Sequence, residues 1–456
     1  MFSRILVANR GEIALRVIRA CKEIGVETVA VYSEADADSL PVEMADRKVC
    51  IGPAVSARSY LDIEAIVEAA TATGSDAIHP GYGYLAENPR FASRCEERGI
   101  AFIGPTVSNL ALAGDKIAAK RIIEEAGIPV VPSSRGGVAT LEEATTVSAQ
   151  IGYPVMIKAA AGGGGRGIRV CRDGEGLKED FPVAKMESKA CFGSDELYIE
   201  KLVTRPRHIE FQVLADRHGN VAHLGERECT IQRRYQKLIE ESPSPALSPV
   251  LRRRMGEAAI QAARAVEYFN AGTVEFLLDG ADRFYFMEIN ARIQVEHPVT
   301  ELVTGVDLVK EQIRLSCGEE LGYAYDDLPT RGCAIECRIN AEDPRRNFLP
   351  CPGTVEIYRP PGGFGVRVDS HLYQGYQLPV FYDSLIAKLI SYDLSRQGAI
   401  AVMKRALAEF TISPIKTTIP LYLEIMDDAD FKAGEFDTGF IGRFVSEDAD
   451  DEDEED

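Results

Sequence analysis

The sequence predicts a protein of the α/β and α+β classes, with a parallel sheet near the N-terminus and antiparallel strands further along the chain. Over the first 112 residues, short apolar runs alternate with helical patterns, which is typical of a doubly wound parallel sheet. Two apolar runs, 273–278 and 284–290, flank a polar turn, as in an antiparallel hairpin. Residues 332–445 contain further apolar runs and one helical pattern, 397–408, which predicts a strand-rich C-terminal region.

The N-terminal region predicts a Rossmann-like domain that does not bind a nucleotide in the usual place. Its first helix follows from Ile13, Val17 and Cys21 at helical spacing, and Gly25 ends it. The turn before this helix, residues 8–12, lacks the G-x-G-x-x-G pattern of dinucleotide sites. The chain contains no Gly-Lys dipeptide, and therefore no P-loop. The expected strands are 5–9, 26–32, 48–51, 76–79 and 100–103.

Composition argues against two classes of function. The chain has 456 residues, which suits roughly three domains of ~150 residues each. The net charge is −20, and removing the nine acidic residues among the last ten leaves −11. An acidic chain without a basic stripe argues against nucleic-acid binding. The longest uncharged run, 100–114, is too short to span a bilayer, so no membrane association is expected.

The N-terminal sequence and the cysteines are typical of a soluble cytoplasmic protein. Residues 446–456 are expected to form a disordered acidic tail, with a partner-binding arm as the alternative. The ten cysteines form no CxxC pairs, and the six histidines are not at zinc-ligand spacings. Buried, reduced thiols are therefore the expectation. The N-terminal sequence has no signal-peptide core.

The hairpin carries the first candidate site. If its turn is centred on the Ala281–Asp282 bond, Glu275 lies directly opposite Glu288. Facing like charges repel on a sheet, so two carboxylates beside an amide oxygen indicate a bound hard cation. The alternative is a solvated face on which both glutamates point at water. Period-two alternation predicts one shared face for four side chains: Phe284, Phe286, Glu288 and Asn290.

A glycine-rich segment provides a candidate phosphate site. Lys158 ends an apolar strand, and residues 162–165 and 167 are all glycine. Backbone N–H groups in such a segment close around an anion, and the lysine adds positive charge. The alternative is a flexible hairpin tip.

Three other segments have both a structural and a functional interpretation. Residues 226–240 read as a solvated charged loop or, beside metal and phosphate, as a source of anion ligands at Arg233, Arg234 and Lys237. The alternation in 207–213 predicts a strand with one solvent-facing side. The turn 79–84 lies where α/β sheets bind ligands, or is a tight loop with packing aromatics.

Several long blocks of the sequence resemble a known family. The blocks are ILVANRGEIALRVIRACKE, AIHPGYGYLAEN, GDK, IGYPVMIKAAAGGGGRGIRV, ERECTIQRRYQK, FMEINARIQVEHPVTE, CRINAEDP and PGGFGVRVDS. In this order they resemble the biotin carboxylase subunits of biotin-dependent carboxylases, of the acetyl-CoA carboxylase and pyruvate carboxylase type, in the ATP-grasp superfamily. The resemblance extends from the first strand to about Phe444. CRINAEDP and RIQVEHPVTE narrow it to this family within the superfamily.

The resemblance implies a division of the chain into domains. A Rossmann-like pre-ATP-grasp domain occupies 1–112, and an ATP-grasp domain occupies 113–331, with a mobile glycine-rich lid at about 131–203. A strand-rich biotin carboxylase C-terminal domain occupies 332–445, and the acidic tail follows at 446–456.

The resemblance also implies roles for individual residues. The nucleotide contacts are Lys116, Lys158, Glu200, Lys201 and His208, with Gly164 and Gly165 in the lid. Glu275, Glu288 and Asn290 are the ligands of a Mg²⁺ or Mn²⁺ ion, and this ion bridges the phosphates of ATP. The bicarbonate pocket consists of Lys237, Arg292, Gln294 and Val295. Glu296 is the base that deprotonates bicarbonate, Arg338 stabilises the biotin enolate, and Tyr82 lies near the biotin site.

Two positions depart from the family's pattern. Many relatives have His where Tyr235 stands, which puts one nucleotide contact in doubt. The glycine run also begins one position late because Ala161 occupies its start.

The implied activity is ATP-dependent carboxylation of biotin with bicarbonate, through carboxyphosphate, for transfer to acetyl-CoA, propionyl-CoA, pyruvate or a related acceptor. The implied partners are a biotin carboxyl carrier protein, a carboxyltransferase and a second copy of this chain in a homodimer. Since the sequence has no Met-Lys-Met motif, the carrier is expected on a separate chain. Two alternatives remain: an ATP-grasp ligase joining a carboxylate to an amine, and a non-catalytic regulatory subunit that binds nucleotide. The implied dimer contact falls on Arg19, Glu23, Phe364 and Arg367.

Overall fold

The computed structural model describes residues 1–159, 168–323 and 330–445, and its elements are numbered in chain order. The strands are β1 Arg4–Val7, β2 Glu27–Ser33, β3 Arg47–Gly52, β4 Ala77–His79, β5 Ala101–Phe102, β6 Val155–Ala159, β7 Arg169–Cys171, β8 Leu197–Lys201, β9 Arg207–Ala215, β10 Val221–Arg233, β11 Gln236–Ser242, β12 Asn270–Leu278, β13 Phe284–Asn290, β14 Cys333–Asn340, β15 Glu342–Asp343, β16 Leu349–Pro350, β17 Ile357–Arg359, β18 Val366–Ser370, β19 Leu385–Asp393 and β20 Thr411–Ser413. The α-helices are α1 Gly11–Glu23, α2 Leu40–Met44, α3 Ile63–Thr73, α4 Pro89–Glu97, α5 Val107–Gly114, α6 Lys116–Glu125, α7 Leu141–Ile151, α8 Gly174–Phe192, α9 Pro249–Ala265, α10 His297–Thr304, α11 Leu308–Ser316, α12 Arg396–Glu409, α13 Ile419–Asp427 and α14 Ala429–Ala433.

The N-terminal region forms the predicted parallel sheet, in the order β3-β2-β1-β4-β5. Each predicted strand lies within one or two residues of the observed one. Successive side chains of β1 point to opposite faces of the sheet, since Ile5 and Val7 belong to one apolar cluster and Leu6 belongs to another. The sheet is therefore covered on both faces, as a doubly wound arrangement requires.

An eight-stranded antiparallel sheet connects the middle of the chain to its C-terminal part. Its order is β13-β12-β9-β10-β11-β14-β19-β18. The last three strands in this order come from beyond residue 331, and β11 pairs directly with β14. Helix α9 packs Leu251 and Met255 on Phe211 and Phe276 of the sheet. Side chains from distant parts of the sequence are thereby brought onto one continuous sheet.

The predicted pairing of Glu275 with Glu288 is confirmed, but the turn is centred on Ala281 and not on the Ala281–Asp282 bond, because Leu278 pairs with Phe284. The prediction of one shared face for Phe284, Phe286, Glu288 and Asn290 is wrong. A bulge between the pairs Glu275–Glu288 and Phe276–Phe286 adds one residue to β13. Both phenylalanines consequently belong to the apolar core, and Glu288 and Asn290 line a cavity.

Two further expectations are corrected by the sheet. Residues 207–213 have no solvent-facing side, because β9 is buried from His208 to Ala215. Its polar side chains are used inside the protein: Glu210 pairs with Arg227 and Lys237, Gln212 accepts from Arg227, and His208 lines the cavity. Residues 226–240 are not a loop but the paired strands β10 and β11, whose turn places Arg234 and Tyr235 at φ values of 47° and 66°.

A three-stranded sheet, β7-β6-β8, carries Lys158 and Glu200 over the edge of the cavity. Helices α7 and α8 contribute Ala144, Leu177 and Phe181 to its apolar core. The predicted glycine flap, including Gly164 and Gly165, and the acidic tail lie outside the described residues. Within the described part of the chain, no helix is both long and apolar enough to cross a membrane.

We expect Phe276→Ala to destabilise the protein by about 3–5 kcal/mol, because it removes a buried ring and leaves a cavity. The Phe276 ring is fully buried, and its centroid lies 6.1 Å from that of Phe211 and 5.5 Å from that of Phe284. Thermal unfolding measures the effect. Val250→Ala is the control, because Val250 is 71% exposed and its truncation should leave the melting temperature unchanged. Equal shifts in the two variants would contradict the assigned core.

Candidate active site

A cavity of about 1450 Å³ lies between the eight-stranded sheet, the β7-β6-β8 sheet and the N-terminal region. It brings together every described residue predicted for the site except Glu296, which is fully buried behind the cavity wall. The lining residues from the prediction are Tyr82, Lys116, Lys158, Glu200, Lys201, His208, Lys237, Glu275, Glu288, Asn290, Arg292, Gln294, Val295 and Arg338. Side chains from all three predicted domains therefore meet in one space.

Three carboxylates lie opposite one another on adjacent strands of the sheet, and an arginine follows on the fourth strand. Glu288 is paired with Glu275, Glu275 with Glu210, and Glu210 with Arg227. A row of buried like charges is unfavourable unless cations compensate it. Arg227, which is fully buried, forms an ion pair with Glu210 and supplies one of these cations.

Lys237 lies at the centre of the buried charges. Its ammonium group is 2.5 Å from Glu210, 3.0 Å from Glu275 and 2.7 Å from Glu296. Burial by itself would lower the pKa of Lys237, but the three carboxylates outweigh it and raise the pKa well above its usual value. Lys237 is therefore a permanent cation that allows three glutamates to remain ionised in one small volume.

Glu275 is an ionised carboxylate at the metal position predicted from the sequence. His208 Nε2 lies 2.8 Å from its Oε2, while Asn290 Nδ2 donates to its Oε1 at 2.7 Å. Burial opposes ionisation, but Lys237 and His208 lower the pKa of Glu275 to about 2. Glu288, 2.8 Å from Lys116, is also held below its usual pKa by that lysine despite its burial. Ionised oxygen donors of this kind fit a hard divalent cation.

Glu200 accepts ion pairs from two lysines. Lys120 contacts its Oε1 and Lys158 contacts its Oε2. Burial opposes ionisation of Glu200, but the two lysines lower its pKa below the usual value. Lys201, the next residue, behaves differently: its ammonium donates to the backbone oxygens of Gly152 and Tyr153 at 2.8 and 2.9 Å. Its side-chain charge is therefore engaged by the protein itself.

The chain after β13 holds the remaining predicted polar groups. Arg292 lies 3.0 Å from Glu87, and its Nη1 donates to Gln294 Oε1 at 2.7 Å. Gln294 donates to Glu275 at 3.2 Å, and the backbone oxygen of Val295 accepts from Lys388 at 2.9 Å. The segment is thus held at both ends, which fixes its orientation beside Glu275.

Glu296 contacts two cations of the site, Lys237 on β11 and Arg338 on β14. It accepts from Lys237 through Oε1 at 2.7 Å and from Arg338 through Oε2 at 2.9 Å. Burial opposes ionisation, but Lys237 and Arg338 lower its pKa below the usual value. Glu240 accepts from Arg338 Nε at 2.6 Å.

Tyr82 donates its hydroxyl hydrogen to Glu12, and burial raises the pKa of Tyr82 well above the usual value.

Sequence reasoning missed several residues that hold the site together. Glu210 could have been predicted from the sequence, because it lies two residues from His208 and therefore on the same face of one strand. Lys120 could also have been predicted, because it lies four residues from Lys116 on helix α6. Glu87 had none, since it approaches Ala291 and Arg292 from a loop about 200 residues earlier in the chain. The predicted anion ligand Arg233 is partly used elsewhere, because it contacts Asn347 and stacks 4.2 Å from the Phe348 ring centre.

Comparison with known proteins agrees with this architecture. Residues 1–110 match the family described as biotin carboxylase, N-terminal domain, and 336–443 match biotin carboxylase C-terminal domain. Residues 115–324 match carbamoyl-phosphate synthase L chain, ATP binding domain. Biotin carboxylase 1 of Bacillus subtilis is 55% identical over 97% of this chain and 98% of its own length. A pyruvate carboxylase subunit of Methanothermobacter thermautotrophicus is 54% identical over 97% of this chain and 90% of its own length.

A solved structure matches equally closely. The biotin carboxylase domain dimer of Hydrogenobacter thermophilus 2-oxoglutarate carboxylase, in complex with MgADP, ADP and bicarbonate, superimposes with a TM-score of 0.94. It is 50% identical over 97% of this chain and 98% of that one. The fold and the lysine-lined site define an ATP-grasp protein. The chain belongs to the biotin carboxylase family, whose members are ATP-dependent ligases.

The pKa of Glu240 generates a prediction about stability. Burial raises it from 4.5 to about 7, so the folded protein binds this proton more tightly than the unfolded chain does. Stability contributed by the group therefore falls as pH rises from 4.5 towards 7 and is constant above that range. Glu240→Gln cannot ionise, so its melting temperature should rise relative to wild type across this window.

Thermal unfolding at a series of pH values checks this prediction. A constant offset from the altered Arg338 contact cancels, because only the pH dependence of the difference is compared. The exposed Glu356→Gln variant is the control and should show no such trend. A melting-temperature difference for Glu240→Gln that does not change with pH would show that Glu240 ionises normally.

Proposed function

We propose that this protein carboxylates biotin with ATP and bicarbonate, as the first half-reaction of a biotin-dependent carboxylase. The observation that carries the proposal is the position of ionised Glu296 between Lys237 and Arg338. This arrangement places a base and two cations beside the paired glutamates of the sheet. A base in this position fits a reaction that removes a proton from its substrate, as the use of bicarbonate requires.

The nucleotide end of the site is supplied by the lysines of α6 and β6. Lys116 and Lys158 would offset phosphate charge, and His208, Glu200 and Lys201 would complete the contacts. Phosphoryl transfer depends mainly on positioning and charge neutralisation, which fixed lysines provide. For Lys201 the backbone is the better candidate contact, because its ammonium group is bonded to Gly152 and Tyr153. Gly164 and Gly165 would close the lid.

The residues that would hold Mg²⁺ or Mn²⁺ are Glu275, Glu288 and Asn290. Their donor set fits, since both carboxylates are ionised and Asn290 uses its nitrogen toward Glu275, which leaves its amide oxygen for a cation. When bound, the ion would neutralise charge that develops on the phosphates. Lys116 would exchange Glu288 for a phosphate oxygen.

Bicarbonate would lie beside Lys237, Arg292, Gln294 and the backbone of Val295. A guanidinium fork suits a planar oxyanion. Glu296 would take the bicarbonate proton as an oxygen of bicarbonate attacks the γ-phosphorus, which forms carboxyphosphate and releases ADP. General bases need hydrogen-bond reach and an ionised state, and the lowered pKa of Glu296 supports the second requirement.

Biotin carboxylation would follow from decomposition of carboxyphosphate to CO₂ and phosphate. The phosphate would take the ureido N–H proton, and the nitrogen would attack CO₂. Arg338 would stabilise the negative charge that develops on the ureido oxygen, as preorganised donors do in other sites. Tyr82, from the opposite wall of the cavity, would border the biotin ring.

The partners of this reaction are a biotin carboxyl carrier protein on a separate chain, a carboxyltransferase and a second copy of this chain. Relatives matched over most of their length carry subunit names, which supports separate chains. Phe364, which is 91% exposed, supports a homodimer contact near Arg367. The final acceptor is a CoA thioester, pyruvate or 2-oxoglutarate. A reducing compartment such as the cytoplasm fits ten free thiols.

The activity is tested by ADP release from ATP with bicarbonate and free biotin. We expect release to require bicarbonate and to increase with biotin. ADP formation at the same rate without bicarbonate would overturn the proposal. Activity that requires an amine acceptor instead would indicate a carboxylate–amine ligase, and ATP binding without any cleavage would indicate a regulatory role.

Glu296→Gln tests the proposed base. The amide keeps the shape of the side chain and retains one acceptor oxygen, for either Lys237 or Arg338, but it cannot take a proton. We expect bicarbonate-dependent turnover to fall by about a hundredfold or more, with ATP affinity unchanged. Glu320→Gln, at an exposed position, is the control. Turnover retained by Glu296→Gln would remove Glu296 as the base.

A further inference from the structure

We propose that Lys120 is a positioning residue of the nucleotide site, which holds the Glu200 carboxylate so that Lys158 is free to bind a phosphate group of ATP. This inference rests on the proposed function, because it concerns the same nucleotide. It assigns to Lys120 a role distinct from that of Lys116 and Lys158, which would contact the ligand directly.

Helix α6 determines where Lys120 points. The Asp115 carboxylate caps the helix by accepting from the Ala118 backbone N–H at 3.0 Å, so the helix begins at Lys116. Residues four apart lie on the same helix face, and both Lys116 and Lys120 line the cavity. Lys116 reaches Glu288 on β13, whereas Lys120 reaches Glu200 on β8.

The Glu200 carboxylate is shared between two cations of unequal depth. Lys120 occupies Oε1 and Lys158 occupies Oε2, while Glu200 itself is only 3% exposed. The Lys120 side chain is 11% exposed and that of Lys158 is 18% exposed. The Lys120 ammonium also lies 5.2 Å from the centre of the Tyr198 ring. Lys120 is therefore the more enclosed partner and the one that stays in place when a ligand enters.

The charges explain why a second lysine is needed. If Lys158 turned toward a phosphate and Glu200 had no other partner, a buried carboxylate would be left uncompensated, which is strongly unfavourable. With Lys120 in place, Glu200 keeps one cation and Lys158 becomes available. Burial lowers the pKa of Lys120, and Glu200 offsets this effect only in part, so the ammonium depends on Glu200 as its counter-ion. Lys120 thus reduces the cost of moving Lys158.

The test measures ATP binding by calorimetry without bicarbonate or biotin, together with kcat and KM for ATP. Lys120→Met keeps the length of the side chain and removes its charge. We expect its Kd and KM for ATP to rise about tenfold, in the range of one lost charged contact, while kcat changes little. Lys120→Arg keeps the charge and should remain within about threefold of wild type. Lys404→Met, an exposed lysine far along the chain on α12, is the matched control.

A double-variant cycle separates positioning from a merely structural role. In a Glu200→Gln background no buried carboxylate needs compensation, so adding Lys120→Met should not weaken ATP binding further. Equal losses in both backgrounds, or an unchanged Kd for Lys120→Met, would overturn the inference. Thermal unfolding establishes that each variant is folded, and Lys120→Gln replaces Lys120→Met if the latter is not. If wild type does not bind ATP, the proposed function fails first; if wild type binds and the cycle is additive, only this inference fails.

Discussion

The structure depends on one cation, Lys237, surrounded by the carboxylates of Glu210, Glu275 and Glu296. Three ionised glutamates in a buried volume would repel one another and incur a large desolvation cost. Lys237 compensates all three at distances of 2.5–3.0 Å. The same group joins the hairpin that carries the candidate metal ligands to the segment that carries the candidate base. The candidate metal ligands and the candidate base are therefore held at a fixed separation.

The eight-stranded sheet makes this arrangement possible. Strand β11, which carries Lys237 and Glu240, pairs with β14, which carries Arg338. Arg338 can then contact Glu240 and Glu296 at once. Predicted site residues from two distant parts of the sequence thus lie on one continuous sheet, which is what a site with closely spaced charges requires. The lysines proposed to contact the nucleotide come instead from α6 and from the small sheet β7-β6-β8.

Much of the fold was predictable from local pattern. The alternation of apolar runs with helical spacing predicted the parallel sheet within two residues at each strand, because burial on both faces imposes continuous apolar runs. The pairing of Glu275 with Glu288 was predicted correctly, but it depends on the bulge near Met287, because the turn itself is centred on Ala281. The bulge was not predictable, since one inserted residue leaves no mark in an apolar sequence. The alternation in 207–213 wrongly suggested a solvent-exposed face, because the buried Arg227 that compensates Glu210 and Gln212 comes from another strand.

By itself, the sequence determined the family and predicted a set of site residues, because motifs such as FMEINARIQVEHP keep chemistry-bearing side chains at short spacings. Only the tertiary structure decided how their charges are compensated. Glu87, Lys120, Glu210 and Glu240 contact the predicted residues from elements far away in sequence, and Lys201 is bonded to backbone oxygens rather than left free. Electrostatic interactions in a low-dielectric interior depend on distance and burial. Neither quantity is encoded in local spacing.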